Sequence, residues 1–445
     1  LTILISVKLI SLYIKKKITV VEGVIYSYAL ETFVIYEIGP TINSTFFFSY
    51  FVFIEVVFIV LKKGIPLSKK SLFILFLPAL ASVFGFIWYR VNPQIFSASY
   101  TDSIIFYTKP IYFYLKNYLP ILAIAYKTYL DKKNIDITVF FDTIIKVALF
   151  SSIIGFVQIL VVKSFNSPDL ARLVGVLPRY RGDNNDFWNL PRISAFFNEP
   201  KNFSAILGMS IPIALFQRKY WYLIIIIIAG ILSISQTFWV VLLSAFISFI
   251  LLKFIKSVRY IIFVGIGLII SLFILVSTAK DYIIEHSNEF SDSILFVLLA
   301  ERAISRYGSD ELSSDNEFLG MPLQRDMEYP MYKFIIDFPY LILTGYGPGN
   351  FSFVSPNYFV GIMGNYIYYQ RVERYTSYNV NMRWYYWILE TGLISFIIYF
   401  YLLTTSTSSF IFRNKYYAFL WLSLFFTNID IFVIVFFILI KPKPK

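Results

Sequence analysis

The residues best suited to chemistry are arginines grouped between positions 172 and 204. They read Arg172, then Arg179-Tyr-Arg181-Gly-Asp183, then Arg192-Ile-Ser-Ala-Phe-Phe-Asn198-Glu199-Pro200-Lys201-Asn202-Phe203-Ser204. Proline at a first helical position, with a capping residue such as asparagine nearby, starts a helix. The spacing therefore predicts a helix from about Pro200, with its free N–H groups and positive dipole end beside several arginines. That combination suits a phosphate or pyrophosphate, because both elements offer directed donors and positive charge. On charge alone, a membrane-surface loop whose arginines meet lipid headgroups reads equally well. Glu199, at the mouth of an apolar helix, has two compatible roles. The commoner one complements the helix dipole; the other is that of a general base.

A second group follows later. Arg302, Arg306 and Arg325 precede Asp337-Phe-Pro339 and Thr344-Gly345-Tyr-Gly347-Pro348-Gly349-Asn350-Phe351. Its glycines permit tight turns or close backbone approach, turns being the commoner use. No strand–helix context surrounds them, so this is not a dinucleotide fingerprint. Tyr358, Tyr366, Tyr368, Tyr369, Tyr375 and Tyr378 come next. Tyrosines outside a membrane can stack on sugar rings or form an interfacial belt. Because aromatic residues make up 20% of this chain, the belt or compositional bias is the commoner reading for any one of them.

The elements that must position these residues follow from composition. Of 445 residues, 58% are hydrophobic and 15% charged, against about 45–50% and about 25% in soluble domains. The apolar residues form long blocks, such as Tyr222 to Leu232, rather than amphipathic stripes. A bilayer accommodates this, because it also removes outward-facing apolar side chains from water. We therefore expect an all-α, polytopic transmembrane bundle of about twelve spans, residues 1–445 forming one integral membrane domain. The spans read 1–14, 20–38, 44–61, 71–88, 104–126, 138–162, 202–216, 220–235, 236–252, 259–277, 384–412 and 416–440. The first is short for a complete span, as expected of a chain that begins upstream of Leu1.

The net charge of +12 would raise nucleic-acid binding in a soluble protein. Here the charge lies in clusters between apolar blocks: Lys15 to Lys17, Lys62-Lys63 with Lys69-Lys70, Lys132-Lys133, Arg218-Lys219, Lys253 to Arg259 and Arg413 to Lys415. All fall on one side when the spans alternate, which marks that side as cytoplasmic and leaves no case for nucleic acid. The tail Lys441 to Lys445 emerges on the other side if the last block crosses once. Asn428 and Asp430 interrupt that block, so a broken hairpin is the alternative. Two long polar segments, 163–201 and 278–383, then form extracytoplasmic loops, the second long enough to contain short helices. The chain has no cysteine and His286 as its only histidine. Disulfides and cysteine- or histidine-rich metal sites are therefore excluded, and no metal or other cofactor is expected.

With topology and motifs in hand, the chain resembles a known family. Arg192 to Ser204 resembles the arginine–glutamate–proline segment of O-antigen polymerases (Wzy) and, less closely, that of O-antigen ligases (WaaL). Arg325, Pro339 and Gly345-Tyr-Gly347-Pro-Gly349-Asn-Phe351 resemble the arginine and Gly-x-Gly-x-Gly stretch of the same superfamily. Leu389-Glu390-Thr391-Gly392-Leu393 resembles its late Glu-x-Gly helix start. Together the motifs cover about the C-terminal two-thirds of the chain. Two departures matter. The ligases carry a histidine shortly before Glu-x-Gly, where this chain reads Ser377-Tyr-Asn379-Val-Asn381-Met-Arg383; that favours polymerase. The family often has Ser-Arg mid-chain, whereas this chain has Ser235-Gln236.

The resemblance implies a metal-independent glycosyltransferase of the bacterial plasma (inner) membrane, working on the extracytoplasmic side. It would move a glycan from undecaprenyl pyrophosphate to a sugar hydroxyl of another lipid-linked unit, with membrane lipid and a chain-length regulator as further partners. Arg192, Glu199 and Arg325 are then the expected catalytic residues. Arg179, Arg181, Arg302, Arg306 and Tyr378 are the expected substrate contacts. Ligation to another acceptor is the alternative within the family. A lipid-linked oligosaccharide flippase is the alternative outside it, although a flippase would be expected to keep its charges within the spans and its loops short.

Overall fold

The structure is a computed structural model that describes residues 2–30, 44–64, 80, 83–88, 90–91, 111, 115, 119–130, 137–165, 193–197, 200–233, 235, 238–239, 241–243, 246, 260, 264, 267, 271, 317–318, 321–322, 337–345, 347, 390–395 and 397. The chain packs as two compact units. One comprises Leu1–Leu67, Leu119–Gly265 and Ser406–Lys445, the other Ser68–Tyr118 and Ile266–Thr405.

In the first unit the elements are α1 (Thr2–Ile14), α2 (Val20–Tyr28), α3 (Ser44–Lys63), α4 (Leu119–Leu130), α5 (Ile137–Phe165), α6 (Pro200–Phe216) and α7 (Tyr220–Leu232). Local chemistry sets several boundaries. After α1 the chain turns through Lys15 to Lys17, with Lys16 at φ +54°. Thr19 and Glu22 then form a capping box: the Glu22 N–H donates to the Thr19 hydroxyl at 3.2 Å, and the Thr19 N–H donates to the Glu22 carboxylate at 2.7 Å. Ser44, opening α3, donates its hydroxyl to the Ser27 and Leu30 carbonyls at the end of α2, at 3.0 and 3.2 Å. These bonds satisfy carbonyls that no further helical turn receives.

Ser44–Lys63 and Phe141–Phe165 are each long and apolar enough to cross a membrane. Polarity is partly inverted in this unit. Leu4, Leu61 and Trp221 are 71%, 77% and 79% exposed, whereas Ser152, Gln158, Ser204, Ser210 and Ser233 are fully buried. Large apolar side chains outside and small polar ones inside match helices that pack in lipid better than helices that pack in water. Close approach follows from the small residues: Gly23 receives the Phe48 ring and Gly230 the Phe238 ring where a Cβ would otherwise stand. Helix α3 packs on α1, α2 and α4; α5 packs on α2, α6 and α7; α6 and α7 pair as a hairpin.

Two charged clusters link helices at the basic turns. The Tyr13 hydroxyl donates to Glu55 at 2.6 Å, and Lys127 donates to the same carboxylate at 2.5 Å, joining α1, α3 and α4. The Gln217 amide and the Lys219 ammonium donate to Asp142 at 2.9 and 3.1 Å, tying the α6–α7 turn to the start of α5.

In the second unit a two-residue antiparallel ladder pairs β1 (Glu317–Phe318) with β2 (Met321–Pro322). A five-residue helix, α8 (Tyr340–Thr344), follows, and residues 390–395 are helical. The described residues are thus mainly helical, as composition predicts, with this minimal ladder as the strand pairing among them. The short helix expected within 278–383 is present as α8. Helix α5 continues to Phe165, into the segment expected as a loop from 163. The expected helix start at Pro200 is observed. The block expected at 416–440 lies outside the described residues, as do most of those at 71–88, 236–252 and 259–277.

Candidate functional site

Between α5 and α6, residues 193–197 run as buried, non-helical chain: Ile193, Ser194, Ala195 and Phe197 are all at or below 1% exposure. Buried backbone outside a helix needs partners for its N–H and C=O groups. Gln158 of α5 supplies them. Its amide oxygen accepts from the N–H groups of Ser194 (3.4 Å) and Ala195 (3.0 Å), and its amide nitrogen donates to the Ala195 carbonyl at 3.0 Å. The Ile193 N–H donates to the Leu232 carbonyl at the end of α7, 3.4 Å away, and the Phe197 N–H closes a turn onto Ser194 at 2.9 Å. The segment's own hydroxyl contributes nothing, since Ser194 Oγ is buried without a hydrogen-bond partner.

Ala195 has φ +49°, in the left-handed region. For an alanine this costs about 1–2 kcal/mol, which the Gln158 bonds and burial offset. Packing fixes both ends. Ile193 lies over Gly155, where a Cβ would stand 2.8 Å from Ile193 Cδ1. Phe197 meets Tyr28 edge-on at 5.9 Å and Phe203 at 5.9 Å, and Phe196 stacks on Phe150 at 6.1 Å.

Pro200 then begins α6, its fixed φ suiting a first helical position. One turn on, Ser204 donates to the Pro200 carbonyl at 2.5 Å and meets the Ser233 hydroxyl at 2.8 Å. Ser233 donates to Gly230 at 2.6 Å. This buried relay joins the first turn of α6 to the last turn of α7. The start of a 17-residue apolar helix is therefore anchored by its neighbours.

A second arrangement belongs to the other unit. The Gly347 N–H donates to the Glu390 carbonyl at 3.0 Å. A Cβ on Gly345 would lie 2.5 Å from both the Glu390 oxygen and the Gly392 nitrogen, and one on Gly392 would lie 2.5 Å from the Thr344 carbonyl carbon. Gly345, Gly347 and Gly392 have φ +73°, +93° and +83°. The Gly-x-Gly stretch and the Glu-x-Gly start are thus in backbone-to-backbone contact. The sequence left open whether the glycines served turns or close approach; they serve both. Trp88 supports the junction, donating Nε1–H to the Thr344 hydroxyl at 2.8 Å and packing on Tyr340 at 4.3 Å. The Glu390 side chain is buried.

Arg192, Glu199, Arg325, Arg179, Arg181, Arg302, Arg306 and Tyr378 lie outside the described residues. Chain continuity alone makes Arg192 the neighbour of buried Ile193, and Glu199 the neighbour of Pro200 at the helix start. Sequence reasoning missed Gln158. Its signal was a lone amide within the apolar run Ile153 to Val162, a residue type that membrane helices reserve for interhelical or loop hydrogen bonds. Among the described residues no cluster of acidic or histidine side chains has metal-ligand character.

Comparison with family models, curated proteins and solved structures gives no match. The physical arrangement and the motif resemblance therefore carry the functional argument.

Proposed function

We propose that this protein is a polysaccharide polymerase of about twelve spans in a bacterial plasma membrane, joining lipid-linked repeat units on the extracytoplasmic side. The observation that carries the reading is the fixed segment 193–197 leading into the α6 start at Pro200. In sequence, Arg192 immediately precedes that segment and Glu199 immediately precedes Pro200. Fixed frames of this kind suit transfer chemistry, where charge stabilisation depends on donors that need not reorganise.

Orientation supports the same reading. The basic turn Arg218-Lys219 and the start of α5 come together through Asp142. If that end faces the cytoplasm, the Gln158 end of α5 faces outward. On the motif resemblance, the pyrophosphate of a lipid-linked donor would meet Arg192 and Arg325, with Arg179, Arg181, Arg302 and Arg306 in support and Tyr378 against a sugar. The glycosidic oxygen–phosphate linkage of the donor breaks at the sugar carbon as the acceptor hydroxyl attacks. Undecaprenyl pyrophosphate leaves with the bond's electrons, and Glu199 takes the hydroxyl proton. The resemblance at Glu390 and Gly392, which meet Gly345 and Gly347, extends the reading to the second unit.

The experiment replaces Arg192. Arg192→Ala should abolish polymer, and Arg192→Lys should lose most of it, because a point charge lacks the planar fork that matches phosphate oxygens. Both proteins should accumulate normally while single lipid-linked repeat units build up. Polymer of normal length from Arg192→Ala would reject the site. One observation favours a different class: the Glu55–Lys127 pair lies partly within a candidate span, as a transporter of lipid-linked oligosaccharide would arrange it. If that reading holds, Glu55→Gln should block translocation of repeat units to the outer leaflet; the polymerase reading expects their outward appearance to be unchanged.

A further inference from the structure

We infer that Gln158 is a positioning residue for this site: its amide holds the backbone of Ser194 and Ala195, the buried chain that the sequence flanks with Arg192 and Glu199. The inference rests on the function proposed above and adds to it the residue that sets the geometry.

Residues 193–197 are neither helix nor strand, so no regular ladder meets their polar groups. A primary amide is the one uncharged side-chain group that offers an acceptor oxygen and N–H donors side by side, as a neighbouring strand would. Gln158 uses both toward one residue, accepting from the Ala195 N–H and donating to the Ala195 carbonyl, each at 3.0 Å. The side chain is at 0% exposure, so water does not compete for these bonds.

The same face of α5 carries a second point of contact. Gly155 lies three residues before Gln158 and so shares its face, and it leaves the room that Ile193 fills. Helix α5 therefore presents a gap and an amide in register with consecutive residues of the segment. Gln158 touches no reacting atom in this account. Its effect on catalysis is transmitted by the backbone it holds, and small displacements of positioned groups weaken transfer strongly.

The test uses the absence of native cysteine. Ser194→Cys is introduced within the segment, at a buried position, and Lys63→Cys at an exposed control position at the end of α3. Labelling by a polar maleimide is followed in detergent micelles, in the wild-type, Gln158→Leu and Gln158→Glu backgrounds. Polymer and single lipid-linked repeat units are measured in parallel, in cells carrying the same position-158 variants without added cysteine and lacking the native protein. Leu removes every bond from position 158. A buried Glu is held protonated by desolvation and then keeps an acceptor and one O–H donor.

Gln158→Leu should raise labelling at position 194 by roughly tenfold or more, leave position 63 unchanged, and lose polymer at normal protein amounts. Gln158→Glu should restore both readouts toward wild type. Unchanged labelling at 194 in Gln158→Leu would overturn the clamp. Raised labelling with normal polymer would overturn the positioning role while leaving the proposed function standing. If the wild-type protein yields no polymer, the proposed function fails by itself, and the labelling arm still decides the clamp.

Discussion

The two arrangements fix irregular backbone by opposite means. In the first unit, residues 193–197 keep their side chains and receive an amide from α5. In the second, Gly345 and Gly392 discard side chains so that two backbones touch directly, and the Gly347 N–H bonds across the contact. The amide solution tolerates a residue such as Ala195 at positive φ, because hydrogen bonds and burial offset its strain. The glycine solution tolerates nothing larger, because the obstructing atoms are backbone and cannot rotate away. A clamp made by a side chain is open to graded change, whereas a junction made by missing side chains is all-or-none.

The largest effect is expected where that contrast is strongest. Gly345→Ala places a Cβ 2.5 Å from the Glu390 carbonyl oxygen at φ +73°. Overpacking and backbone strain together should cost about 2–5 kcal/mol, seen as loss of the folded protein in a thermal-stability measurement after solubilisation. A stable Gly345→Ala would break the comparison. Next comes Gln158→Leu, which removes the Gln158 partner from two buried N–H groups and one buried carbonyl. Its cost should be about 2–4 kcal/mol, with function lost before the fold. Gly155→Ala sharpens the contrast: its Cβ would meet only side-chain atoms of Ile193, the tip at 2.8 Å and Cβ and Cγ1 at 3.4 Å. Rotation of that tip should limit the cost to about 1 kcal/mol. Smallest of all is Asp142→Asn. Its pair with Lys219 is exposed by 42% and 36%, so the solvent-screened loss should be under about 1 kcal/mol in the same assay.

Much of the helical frame was legible in the sequence. Uninterrupted apolar blocks mark helices with little ambiguity, so α3, α5, α6 and α7 appear within a few residues of their expected positions. Pro200 marked a helix start because a missing N–H is harmless only there. The ladder at Glu317–Phe318 and Met321–Pro322 was not legible, since two-residue strands carry no periodicity. Of the site, the segment 192–204 and the glycines stood out by residue type. Gln158 did not, because nothing in a helical apolar run says which side chain faces a loop 35 residues downstream; only the fold brings Gln158 to Ile193 and its neighbours. Nor could sequence show that Glu390 and Gly392 meet Gly345 and Gly347, because contact between segments that far apart depends on how the unit closes.

Orientation can be checked without disturbing the site. Single cysteines near Asp183 and Glu311 should label from outside intact cells, and those near Lys132 and Lys256 only after permeabilisation. A long loop found inside would place the segment on the wrong face for a lipid-linked donor.

The most direct measurement takes the purified protein and undecaprenyl pyrophosphate-linked repeat units from cells that lack it, without nucleotide sugar or divalent metal. The account predicts lipid-linked glycans two and more repeats long, with one undecaprenyl pyrophosphate released for every bond made. Repeat units that stay single, with no pyrophosphate lipid released by well-folded protein, would contradict it.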